Sequence, residues 1–150
     1  MRRAVARPSP APYTSGSYAF GSNSSGQVVD YCYSSAGTIT TRAFLYSDGG
    51  MLDLGVTEGA VESFAMGVNA SDQVVGYTLS LTNGNRAFLH SGGTMYDLNS
   101  LVQDLPTTEV LVDAPGINDQ RQIVANSGNS RAYLLTPMQA APAVTMLLLQ

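Results

Sequence analysis

The residues able to do chemistry are few and far apart. His90 is the one histidine of the chain and Cys32 the one cysteine. A histidine-based metal cluster therefore cannot form, and a nucleophilic triad would have to use His90, with no GxSxG elbow to present a serine to it. A single cysteine also excludes an internal disulfide, and its place inside an apolar run reads as a buried, inert thiol. Carboxylates offer more. Glu58, Glu62, Asp104, Glu109 and Asp113 fall in connecting segments, and two carboxylates about 5–10 Å apart can hydrolyse a glycosidic bond. Ordinary solvated loop acids are the simpler reading of this group, with Glu62 and Asp113 the residues on which to test the enzymatic one.

Oxygen ligands for Ca²⁺ could come from Asn23, Asn69, Asp72, Asn118 and Asp119. Each loop supplies few carboxylates and NSSG supplies none, so turns closed by an asparagine side chain are the better reading. No metal and no cofactor is expected. SDGG and SGGT precede no helix that could cradle phosphate and read as hairpin loops. Arg42 and Asp53 stand eleven residues apart, as do Arg86 and Asp97. Across a two-residue hairpin loop this spacing sets the arginine diagonal to the carboxylate on one face, within reach of a structural ion pair. Arg131 has no such partner nearby and must find a carboxylate elsewhere or remain in water.

These elements belong to a repeat. NSSGQVVDY (23–31), NASDQVVGY (69–77) and NDQRQIV (118–124) start 46 and 49 residues apart. Each asparagine is followed four residues later by Gln27, Gln73 or Gln122. Then come Arg42-Ala-Phe-Leu, Arg86-Ala-Phe-Leu and Arg131-Ala-Tyr-Leu, and in two copies a Met-x-Asp-Leu element ending at Leu54 and Leu98. Within each copy short apolar runs alternate with turn chemistry. Asp48-Gly49 and Gly92-Gly93 suit hairpins that need positive φ. No segment of 11 or more residues carries a 3.6-residue apolar period, which predicts little helix beyond one turn at Leu101, Val102 and Leu105. Strands apolar on both faces need cover on both sides. Four-stranded units repeated at this period and shielding one another describe propeller blades.

The sequence predicts an all-β fold: a partial β-propeller-like stack of about three four-stranded antiparallel units, the last incomplete. The units span about 19–55, 65–99 and 114–137, with a poorly ordered segment at 1–18 and a tail at 138–150. The third copy stops at Pro137 without a Met-x-Asp-Leu strand, and Pro8, Pro10 and Pro12 make residues 1–18 a poor source for one. Closed propellers have about four or more blades. The expectation is a fragment of a longer repeat protein, or a partial propeller that self-associates.

The order and spacing over about residues 19–137 resemble the HAF-type extracellular repeat family. GVNASDQVVGY, RAFLHSGGTMYDL and GINDQRQIV…RAYLLTP carry the likeness. Arg42, Arg86 and Arg131 replace the histidine that names the family's triplet, and Asp30 stands where Gly76 keeps the usual glycine. The resemblance implies a secreted or surface-exposed bacterial β-repeat protein with no established catalytic activity.

Charge narrows the partners. All seven basic residues are arginines, three of them before residue 8, which leaves four arginines against eleven Asp plus Glu in the rest. Such a surface repels phosphate, so nucleic acid and anionic membranes are poor partners. The tail AVTMLLLQ is too short to span a bilayer, and no signal peptide is visible at the start. The preferred reading is a non-enzymatic, exported β-repeat module giving a structural or binding surface. The alternatives are a carbohydrate-binding lectin, with Tyr13, Tyr18, Tyr31, Tyr33 or Tyr96 stacking on sugar rings, and a glycosidase using loop carboxylates.

Overall fold

A computed structural model describes residues 15–34, 40–138 and 144–148. They form three antiparallel sheets, the second and third meanders with strands adjacent in chain order and the first alike except that β1 and β2 both pair with β3. The first sheet holds β1 (Gly16–Ser17), β2 (Gly21–Ser22), β3 (Val28–Ser34), β4 (Thr40–Ser47) and β5 (Gly50–Asp53). The second holds β6 (Glu62–Val68), β7 (Val74–Ser80), β8 (Gly84–Ser91) and β9 (Thr94–Asp97). The third holds β10 (Leu111–Ile117), β11 (Ile123–Ser127), β12 (Ala132–Pro137) and β13 (Val144–Leu148). One 3-10 turn, Leu98–Ser100, follows β9 and replaces the turn expected at Leu101–Leu105.

Turn chemistry fixes the registers. Asp48 and Gly49 both adopt positive φ, as do Gly92 and Gly93, so the two-residue loops twist with their strands and set Phe44 opposite Asp53 and Phe88 opposite Asp97. In the three repeat turns the backbone amide of Asn23, Asn69 or Asn118 donates to the carbonyl of Gln27, Gln73 or Gln122 at 3.0–3.2 Å. The residue before the glutamine is left-handed each time: Gly26, Asp72 and Arg121.

Two cores lie between the sheets. Val29, Ala43 and Leu45 of the first unit meet Ala65, Val74 and Phe88 of the second. Val75 and Ala87 of the second meet Leu111, Ile123, Tyr133 and Leu135 of the third. Val74 and Val75, adjacent on β7, are both fully buried but belong to different cores. The middle sheet is therefore covered on both faces, which is why its strand reads as a continuous apolar run.

The unit boundaries are wider than the sequence suggests. β1 precedes residue 19 and pairs with β3. Together with bonds from the Tyr18 and Phe20 amides to the Tyr31 and Val29 carbonyls it makes β1 and β2 one interrupted strand. Residues 1–14, covered by the expectation of poor order, lie outside the described residues. At the other end no Met-x-Asp-Leu strand follows β12. Instead Val144–Leu148, assigned from sequence to the tail, pairs with β12 from Tyr133↔Leu148 to Pro137↔Val144.

Candidate functional site

The repeated asparagines build an inter-unit ladder. Each side-chain Oδ1 accepts the backbone amide four residues on, from Gln27, Gln73 or Gln122, at 2.9–3.1 Å. That bond leaves the Nδ2 group free to turn outward. Asn23 Nδ2 donates to the Asn69 carbonyl at 3.0 Å, and Asn69 Nδ2 donates to the Asn118 carbonyl at 3.1 Å. Asp72 and Asp119, considered above as cation ligands, serve the same junctions. Asp72 accepts Gln27 Nε2 at 2.7 Å, and Asp119 accepts the Ala70 amide at 2.9 Å. Among the described residues no group of three or more His, Cys, Asp or Glu is placed to hold a metal.

The three arginines take three different partners. Arg86 Nε lies 3.1 Å from Asp97 Oδ2, as the eleven-residue spacing predicts. Arg42 and Asp53 do not repeat that pair. The Arg42 guanidinium donates to the carbonyls of Thr41 and Val61 at 2.9 and 2.7 Å, and Asp53 accepts the Gly55 amide at 2.8 Å. The chain leaving β5 passes close to Arg42, and a carbonyl there competes with the carboxylate. Arg131 finds its carboxylate in the linkage between units, where Nη1 lies 2.7 Å from Glu109 Oε1. The Glu109 side chain is wholly buried although Arg131 is more than half exposed. The Ser127 hydroxyl first, then Asn129, Arg131 and Tyr133, hold its carboxyl below the usual range against the cost of burial.

A cleft of about 430 Å³ opens around the Arg86–Asp97 pair and is lined by Glu58, Thr78, Asn83 and Tyr96 among others. Asp97 is fixed there by two bonds from Asn99, whose side chain also brackets Leu111 by accepting its amide and donating to its carbonyl. Asn99 was not singled out from the sequence; its only local signal is its place two residues after Asp97. Tyr96 is 41% exposed beside the pair. The cleft thus combines an aromatic face, a charged pair and several hydroxyl and amide groups.

The remaining candidates are dispersed. Glu62 accepts the Thr41 hydroxyl at 2.9 Å and Asp113 accepts Asn126 Nδ2 at 2.7 Å. Of the loop carboxylates, only Glu58 lines the cleft with Asp97. Tyr18 stacks on Tyr31 at 5.0 Å and on Tyr33 at 6.3 Å, and Tyr31 meets Phe64 edge-on. These rings contact one another, although Tyr18 stays 54% exposed, and Tyr13 lies outside the described residues. Cys32 is fully buried, with its thiol 3.7 Å from the Arg42 carbonyl. Burial, helped by Asp53, pushes that thiol up to about 11, so it is no nucleophile at neutral pH. His90 is buried with Nδ1 unpartnered, and burial lowers its pKa.

Asp30 is the group that sequence reasoning weighed least. It is 1% exposed with Oδ2 lacking a partner. Burial raises its pKa to about 7, opposed by a bond from the Tyr31 amide. At the matching position Gly76 sits against the β6 backbone, where a Cβ would collide with the Phe64 carbonyl. The first unit carries the Asp30 side chain at this position, opposite the stretch between β1 and β2.

Compared with family models, curated proteins and solved structures, the chain matches none.

Proposed function

We propose that this chain is a non-enzymatic β-repeat module of the HAF-type extracellular kind that works by offering a binding surface. The observation that carries the reading is how the repeated polar residues are used. Asn23, Asn69, Asp72 and Asp119 bond to the neighbouring unit. Their chemistry goes into holding the sheets together, and recognition falls to positions that differ from unit to unit. A site grafted onto a repeating scaffold in this way is defined by its own residues rather than by the fold.

A second observation favours carbohydrate as the ligand class. The cleft at Arg86 and Asp97 presents an exposed tyrosine ring beside hydrogen-bonding groups of both senses, the combination that suits a sugar with an apolar ring face and hydroxyl edges. Glycan-array binding by the full chain, lost in Tyr96→Ala and Asp97→Asn and without release of reducing ends, is the expected result. Turnover abolished by Glu62→Gln or Asp113→Asn would replace this reading with a glycosidase. Absence of both binding and turnover would leave a structural module, whose surface meets protein instead.

A further inference from the structure

We propose that the outer face of the third unit docks the first unit of a second copy of this chain, so that two copies close head to tail into a ring of six units. This goes beyond the binding function above and does not depend on it. The argument comes from matching positions. Val29, Val75 and Val124 each lie six residues after the repeat asparagine. The first two are 0% exposed beneath the following unit, whereas Val124 is 39% exposed. Ala43 and Ala87 are likewise 0% exposed, and their counterpart Ala132 is exposed. The third unit therefore presents the face that its two predecessors bury.

Polar groups and backbone agree. Asn23 and Asn69 each donate to the asparagine carbonyl of the next unit. Asn118 Nδ2 donates to its own Gln122 at 2.8 Å and, among the described residues, to no further unit. A Cβ on Gly67 would stand 3.1 Å from the Gly116 Cα, so the first strands of successive units touch backbone to backbone. Among the described residues a Cβ on Gly116 would meet only a methyl group of Val124 in its own unit. One side of an existing interface is present there without its partner among the described residues.

The complementary surface is at the other end of the same chain. In both existing interfaces the first strand of the later unit carries the contact: β6 on β3 and β4, and β10 on β7 and β8. Ala65 and Ala114, on those first strands, are 1% and 0% exposed, while the matching Ala19 is exposed and its neighbour Phe20 is 74% exposed. Asp30 and Phe44 of the first unit are already buried, so the contact there falls to the segment from Gly16 to Ser22. Closed propellers have about four to eight blades, and six is the only multiple of three in that range. Joining unlike faces by the same contact twice closes a two-fold ring.

Sedimentation equilibrium of the full chain should give a mass of two chains. Val124→Glu places a charge on the face, and Asn118→Asp keeps the Oδ1 acceptor while removing the donor. Each should preserve the β-sheet circular dichroism and weaken the dimer by about tenfold or more. Val124→Cys and Ala19→Cys chains, mixed under mild oxidation, should link to each other, because their counterparts share a core in both existing interfaces (Val29 with Ala65, Val75 with Ala114). A monomer at every concentration, an assembly of any other size, or a dimer that both substitutions leave unchanged would overturn the proposal. So would failure of the mixed cysteine chains to link.

Discussion

Asn69 donates its side-chain amide to the Asn118 carbonyl at 3.1 Å while its own carbonyl receives the amide of Asn23 at 3.0 Å. One residue therefore closes its own turn and joins three sheets. Asn69 is 1% exposed, so its own side of these bonds is shielded from water.

Asn69→Ala should accordingly cost about 2–4 kcal/mol, since it takes the side-chain partner from three part-buried backbone groups, the Ser71 and Gln73 amides and the Asn118 carbonyl. Asn118→Ala, at an exposed turn that among the described residues makes no further rung within the chain, should cost the monomer about 1 kcal/mol. Urea unfolding of the two variants side by side checks the order. Equal losses would show that the turn, and not the rung between units, carries the effect.

Asp30 should make the protein more stable on mild acidification. Its folded pKa of about 7 lies above the ordinary 3.8, so between those values the folded state binds more protons than the unfolded one. This contribution is greatest at low pH and is lost as pH rises toward 7. His90 works in the opposite sense, because its lowered pKa costs stability as pH falls below 6.5. The difference in melting temperature between the protein and Asp30→Asn, followed from pH 4 to 8, isolates the aspartate. A difference that stays flat across that range would rule it out.

Glu109 should govern stability at lower pH. Its carboxyl is held below 4.5, so its contribution is present above that value and disappears as pH falls through the folded pKa. Glu109→Gln should flatten the acid limb of the stability curve below about pH 4.5. Arg131→Met should lower the melting temperature at neutral pH by leaving a buried carboxylate with less compensation. Thermal scans over the acid range measure both effects.

Gly76→Ala should be among the most damaging single changes. The new methyl meets the Phe64 carbonyl and the Ala65 Cα, both backbone, and neither can swing aside. A loss of about 3 kcal/mol or more is expected from denaturant unfolding. Asp30→Gly at the matching position of the first unit should be tolerated, because it removes a buried carboxylate oxygen that lacks a partner.

Much of this architecture was legible from residues a few positions apart. The paired glycines at 92–93 and Asp48-Gly49 set their hairpin registers, and the Arg86–Asp97 ion pair followed from that register. The same spacing misled for Arg42, because the competing Val61 carbonyl arrives nineteen residues later. Glu109 could be suspected only from Arg131 lacking a nearby acid. The strand Val144–Leu148 carries no turn signature and no likeness to the Met-x-Asp-Leu element, so nothing marked it as the partner of β12.

By itself the sequence determined the repeated strands, their turns and the fact of repetition, because φ-permissive residues and side chains that bond their own loop act over a handful of atoms. Only the tertiary structure decided where the second hydrogen of each asparagine goes, which arginine meets which acid, and which valine of three stays open. Those outcomes depend on groups about 20 to 50 residues away and on the exclusion of water between packed sheets, which short-range spacing does not encode.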